Sequence, residues 1–173
     1  MRVFIGLFAA AIGLLAAAPA FADGPVASTL LRTAIFVKDR AATVAFYRGV
    51  MGYDEVGTGP VVGFVDAIGL PSNAKVTLTT LKSKDGAGLA IMGVESKSFG
   101  NLARAKGVAN ASGDVMLVHQ VTGIDEIYAR AKAGHYTVLR PPMLSSTGKS
   151  KQMFLRDPSG IRLELYEMQT DAK

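Results

Sequence analysis

Few side chains in this 173-residue sequence are equipped for chemistry. It has no cysteine, so thiol nucleophiles and disulfides are both closed to it. Its two histidines, His119 and His135, stand at no spacing from a serine or carboxylate that suggests a nucleophile triad. His135 follows Gly134 at the end of an expected helix, where a surface cap accounts for it. The GKS tripeptide at 148–150 invites comparison with a phosphate loop, but the residue five before Gly148 is Met143, not glycine. Residues 144–150 therefore read as a surface loop. What remains is the stretch FLRDPSGIRLELYE at 154–167, where Arg162, Glu164 and Tyr166 alternate with Ile161, Leu163 and Leu165. A period of two puts the guanidinium, the carboxylate and the phenol on one face of a strand. Solvent on that face is the plain explanation, and a bound ligand is the other.

The elements that position this face can be read outward from it. Asp157, Pro158 and Gly160 form a tight turn: the carboxylate bonds the backbone ahead, proline fixes φ, and glycine supplies the conformation other residues avoid. A hairpin results. The earlier segment GLAIMGVE at 88–95 aligns without gaps on GIRLELYE at 160–167, and each copy is preceded by a strand and a helix. Val37 matches Val121, and Gly52 matches Gly134 once two helix residues are dropped. Two βαβββ modules follow from this repeat. In the first, Asp39 is placed to cap a helix carrying Phe46 and Tyr47, and Gly52 stops it. The glycine- and proline-punctuated segment 53–73 has one strong apolar run, at 61–70, read as a short helix over the sheet or a cavity lid. In the second module, a strand at 136–140 ends at Pro141-Pro142.

With FVKDRAATVAFYRGVMGY at one end and FLRDPSGIRLELYE at the other, the sequence resembles the vicinal oxygen chelate superfamily, the group of glyoxalases, bleomycin-resistance proteins and extradiol dioxygenases. The resemblance implies an α+β fold of two tandem βαβββ modules that form a curved mixed sheet with helices on the outer face. It spans a single domain at 28–168: module one at 28–95, a linker at 96–114 and module two at 115–168. In that family four side chains converge on a divalent metal, and the matching positions here are Arg32, Met92, Met116 and Glu164. Only Glu164 suits a hard metal, and Arg32 repels a cation. His119, three residues past Met116, should turn to the opposite, helix-packed face unless a bulge intervenes. The expected cavity is thus lined by Arg32, Phe36, Met92 and Met116, with Arg162, Glu164 and Tyr166, and it takes a small organic ligand with no metal or other cofactor. An ion pair between Arg32 and Glu164 would replace the metal. The alternative is a metal-dependent lyase, isomerase or dioxygenase of the same superfamily, with a divalent ion held by Glu164 and His119 or solvent.

The first 22 residues have the three regions of a signal peptide: Arg2, an apolar run at 3–18, and Ala20-Phe21-Ala22 before Asp23. The run is shorter than the roughly 20 residues of a spanning helix, so cleavage and no stable membrane anchor are expected. A periplasmic or secreted protein follows. The pI of about 9.6 raises nucleic acid as a partner, but the basic residues are scattered, with no stripe and no interleaved aromatics. No nucleic-acid partner is expected. The sequence leaves open whether the modules pair within one chain or between two chains of a homodimer.

Overall fold

The computed structural model describes residues 30–63, 65–100 and 113–169. The leader with its Ala20-Phe21-Ala22 site, and most of the linker expected at 96–114, lie outside these residues. Module one runs β1 (Arg32–Val37), α1 (Arg40–Gly49), β2 (Asp54–Pro60), β3 (Lys75–Lys82) and β4 (Gly88–Glu95). Module two repeats the order as β5 (Met116–Gln120), α2 (Ile124–Ala133), β6 (Val138–Leu144), β7 (Ser150–Arg156) and β8 (Arg162–Met168). Each module closes a four-stranded mixed sheet, ordered β1-β4-β3-β2 and β5-β8-β7-β6, so the curved surface is two sheets. The pairs β1–β4 and β5–β8 are parallel, and the remaining pairs are antiparallel.

The helices begin where the chain offers acceptors. Asp39 accepts from the Ala42 N–H at 2.8 Å, as its position before the apolar run predicts. At α2 the cap residue is Gly123, in the left-handed conformation and with no side chain to give. Its N–H is bonded instead by the Glu167 carboxylate at the end of β8. Gly93 lets α1 approach the sheet, because a Cβ there would lie 2.8 Å from the Arg40 Cβ. Arg40, held this close, donates to the buried Thr79 hydroxyl at 2.8 Å.

Alternation then divides each sheet into two faces. Ile35, Val37, Leu89 and Ile91 of module one join Met153, Leu155, Leu163 and Leu165 of module two in one core with the buried faces of α1 and α2. Between the modules, Phe46 packs edge-on against Tyr136 at 4.9 Å, and Arg130 donates through Nε and Nη2 to the Val50 carbonyl. Tyr47, fully buried, donates its hydroxyl to Asp157 at 3.1 Å. The other oxygen of Asp157 accepts from the backbone N–H groups of Ser159 and Ile161. Asp157 therefore makes the expected turn and also ties the two modules together.

Two strands depart from the sequence expectation. β2 carries Gly57, Gly59 and Pro60 and shows no alternation because it is an edge strand, exposed along nearly its whole length. β6 continues through Pro141 and Pro142 where a break is expected. It is also an edge strand, and its pairing with β7 becomes irregular between Arg140 and Met143. The described residues of 61–74 form turns instead of a helix, and Val61, Val65, Ile68 and Leu70 pack on Val76, Met92 and Val94. They cover part of the helix-free face of sheet one. No helix among the described residues is long and apolar enough to cross a membrane.

Candidate functional site

The phase of the strands places all seven expected cavity residues on helix-free faces, but the ladders do not bring all seven together. On sheet two, Glu164 of β8 lies between Val118 of β5 and Phe154 of β7. Arg162 lies between Met116 and Arg156, and Tyr166 between Gln120 and Gln152. Met116, Arg162, Glu164 and Tyr166 thus form one patch, as expected. It is open: Val118 is 61% and Met116 42% exposed. Arg162 is anchored by an ion pair with Asp114 at 3.7 Å, and the Tyr166 hydroxyl donates to the Met168 sulfur at 2.7 Å. Beyond Phe154 the face continues into a cavity of about 420 Å³, walled by Arg140, Met143 and Gln152 and by the turn between β6 and β7.

On sheet one the expected grouping does not form. Phe36 is the cross-strand partner of Met92, but Arg32 is opposite Gly88, four residues along the ladder. At about 3.3 Å per residue this separates Arg32 from Met92 by roughly 13 Å. Met92 is buried beneath the 61–74 segment, whereas Arg32 is exposed. The physical reason is a slip of two residues between the repeats. Matching the helix starts makes Met116 the counterpart of Arg32, but Arg32 pairs with Gly88, the counterpart of Gly160, whereas Met116 pairs with Arg162. An even slip keeps every side chain on its own face and moves it along the strand. Among the described residues no ion pair joins Arg32 to Glu164, so that expectation is corrected as well.

His119 pairs with Leu165 and so lies on the face opposite Glu164, as its odd spacing from Met116 predicts. Its Nδ1 is 3.3 Å from the Tyr53 hydroxyl, and its Nε2 is buried with no hydrogen-bond partner. Burial lowers the imidazole pKa and raises that of the Tyr53 phenol. The two rings meet edge-on beside a cavity of about 600 Å³ between the modules. The only sequence signal at Tyr53 is its position just after the Gly52 helix stop.

These residues do not fit the family's divalent metal. The matching positions supply one carboxylate, two thioethers and a guanidinium, His119 is turned away, and no group of three or more His, Asp or Glu residues that could hold an ion occurs among the described residues.

The model of the glyoxalase, bleomycin-resistance protein and dioxygenase superfamily matches residues 29–165. The chain belongs to this superfamily. Solved members of glyoxalase type share its fold. A glyoxalase family protein from Bacillus cereus superposes with a TM-score of 0.68 at 20% identity, covering 84% of this chain and 99% of that one. A glyoxalase family protein from Enterococcus faecalis gives 0.58 at 23% identity over 80% and 97% of the two chains. A superfamily domain from Frankia sp. EAN1pec gives 0.59 at 12% identity over 83% and 100%. At these identities the superfamily members inform the fold alone. No curated protein matches the chain in sequence.

Proposed function

We propose that this superfamily member is an exported protein that binds a small organic ligand on the open face of its second sheet without using a metal. The observation that carries the reading is the setting of Glu164: a carboxylate flanked by Val118 and Phe154, with Met116 and Tyr166 close by, the neighbouring Asp114 paired to Arg162, and no group of three or more His, Asp or Glu that could hold an ion among the described residues. Apolar walls with a few convergent polar groups make a small-molecule site, and methionine adapts its shape to what it meets. Glu164 would accept a hydrogen bond or pair with a cationic group of the ligand, and Phe154 and Tyr166 would supply ring surface. The leader sequence supports export, and intact mass from an exporting host should show a chain beginning at Asp23.

Thermal unfolding tests the reading. Zinc, nickel or manganese should leave the melting temperature unchanged, because an ion that binds only the native state must stabilise it. Mass spectrometry of the natively purified protein should find an organic molecule that is lost in Glu164→Gln. A rise of several degrees with one divalent ion, abolished by Glu164→Gln, would overturn the proposal in favour of a metal-dependent enzyme.

A further inference from the structure

Cross-strand partners share a face, so the helix-free side of sheet two is a grid of rows that run across its strands. One row takes a residue from every strand: Val118, Glu164, Phe154 and Arg140. The charges on this face are not equally occupied. Arg162, one row away, is paired with Asp114, and its cross-strand neighbour Arg156 donates to the Gly160 carbonyl at 2.7 Å within its own turn. Among the described residues no ion pair reaches Glu164.

Arg140 stands at the other end of the Glu164 row, in the cavity of about 420 Å³ that opens beyond Phe154. Its Nε donates to the Met143 sulfur at 2.6 Å, a weak acceptor that orients the guanidinium and leaves Nη1 and Nη2 for another partner. The hydroxyls on the cavity rim are spent on the turn itself. Ser145 and Thr147 bond each other, and they accept from the backbone N–H groups of Ser150 and Lys149. The row therefore presents a carboxylate and a guanidinium two strand spacings apart, roughly 10 Å at the backbone, with the Phe154 ring between them. No ion pair among the described residues joins the two.

We propose that the ligand of this face is amphoteric, with a cationic group at one end, an anionic group at the other and an apolar middle. The inference rests on the reading that the open face of sheet two holds a small organic ligand, and it names the chemical class of that ligand. Glu164 takes the cation, Nη1 and Nη2 of Arg140 take a carboxylate as a two-pronged donor, and the middle lies on Phe154. A molecule charged at one end only leaves the group at the other end of the row unmatched.

Calorimetry with the full chain at neutral pH tests this with three probes built on one ring. 4-(Aminomethyl)benzoate has both charges, 4-methylbenzoate lacks the ammonium, and 4-methylbenzylamine lacks the carboxylate. The doubly charged probe should bind roughly fivefold more tightly than either of the others. Glu164→Gln should abolish its advantage over 4-methylbenzoate and keep its advantage over 4-methylbenzylamine, and Arg140→Gln should do the reverse. Each variant is judged by a ratio of affinities, which a general loss of folded protein does not reverse. Lys132→Gln, which removes a charge from the exposed surface of α2, should leave all three affinities as they are in the unaltered chain. The proposal is overturned if the doubly charged probe binds no better than the singly charged ones, if Arg140→Gln leaves the three affinities in their original ratio, or if Lys132→Gln changes them as Arg140→Gln does. In any of these cases an organic molecule that copurifies with the protein and is lost in Glu164→Gln would still uphold the open-face site, so the two readings fail separately.

Discussion

Tyr47 shows how much one buried hydroxyl can carry. Burial, and then the charge and hydrogen bond of Asp157, raise the phenol pKa well above its ordinary value, so it stays neutral and donates. Tyr47→Phe keeps the ring but leaves one Asp157 oxygen without its donor, and should cost about 1–3 kcal/mol, measured as a shift of the urea midpoint at neutral pH. His119 gives a pH dependence of definite sign. Burial holds its folded pKa below the usual 6.5, so the unfolded chain binds the proton first as pH falls. The stabilisation is complete above about pH 6.5 and is lost progressively below it, down through the folded pKa. Comparing urea midpoints at about pH 7.5 and about pH 5 should show a decline that is smaller in His119→Leu. The turn role of Asp157 and the inward face of His119 were legible from local spacing. Their partners, Tyr47 and Tyr53, were not, because each is supplied by the other module and no local pattern encodes that approach.

At the scale of elements, period and punctuation located both helices and the interior strands, since those elements bury one face and expose the other. β2 and the end of β6 were not legible for the same reason in reverse: an edge strand with little burial has no alternation to read, and proline is tolerated there. The repeat fixed which face each candidate side chain occupies but not its height on the ladder, and the two-residue slip is what separates Arg32 from Met92. Close approach of α1 to β4 is a stricter feature. Gly93→Ala would place a methyl 2.8 Å from the Arg40 Cβ, with further Arg40 carbons at 3.0 and 3.2 Å, so helix or strand must shift. A loss of about 1–3 kcal/mol is expected, measured by chemical denaturation. Wild-type stability in the alanine variant would show that α1 moves away freely.

For the molecule as a whole, the two modules share a helix-side core but treat their other faces differently, sheet one being partly covered by the 61–74 segment while Met116 and Val118 on sheet two stay exposed. That asymmetry is why the open-face proposal rests on module two alone. The bond from Tyr47 to Asp157 has a further consequence, in the order of events during folding. It joins residues 110 positions apart, and closing a loop of that length costs on the order of 4 kcal/mol of chain entropy. The hairpin around Asp157 and helix α1 can each form from neighbours in sequence, so the contact between them belongs late in the reaction, after the rate-limiting barrier. In stopped-flow experiments Tyr47→Phe should therefore accelerate unfolding and leave the refolding rate nearly unchanged. A refolding rate slowed in proportion to the lost stability would instead put the union of the two modules at the start of folding.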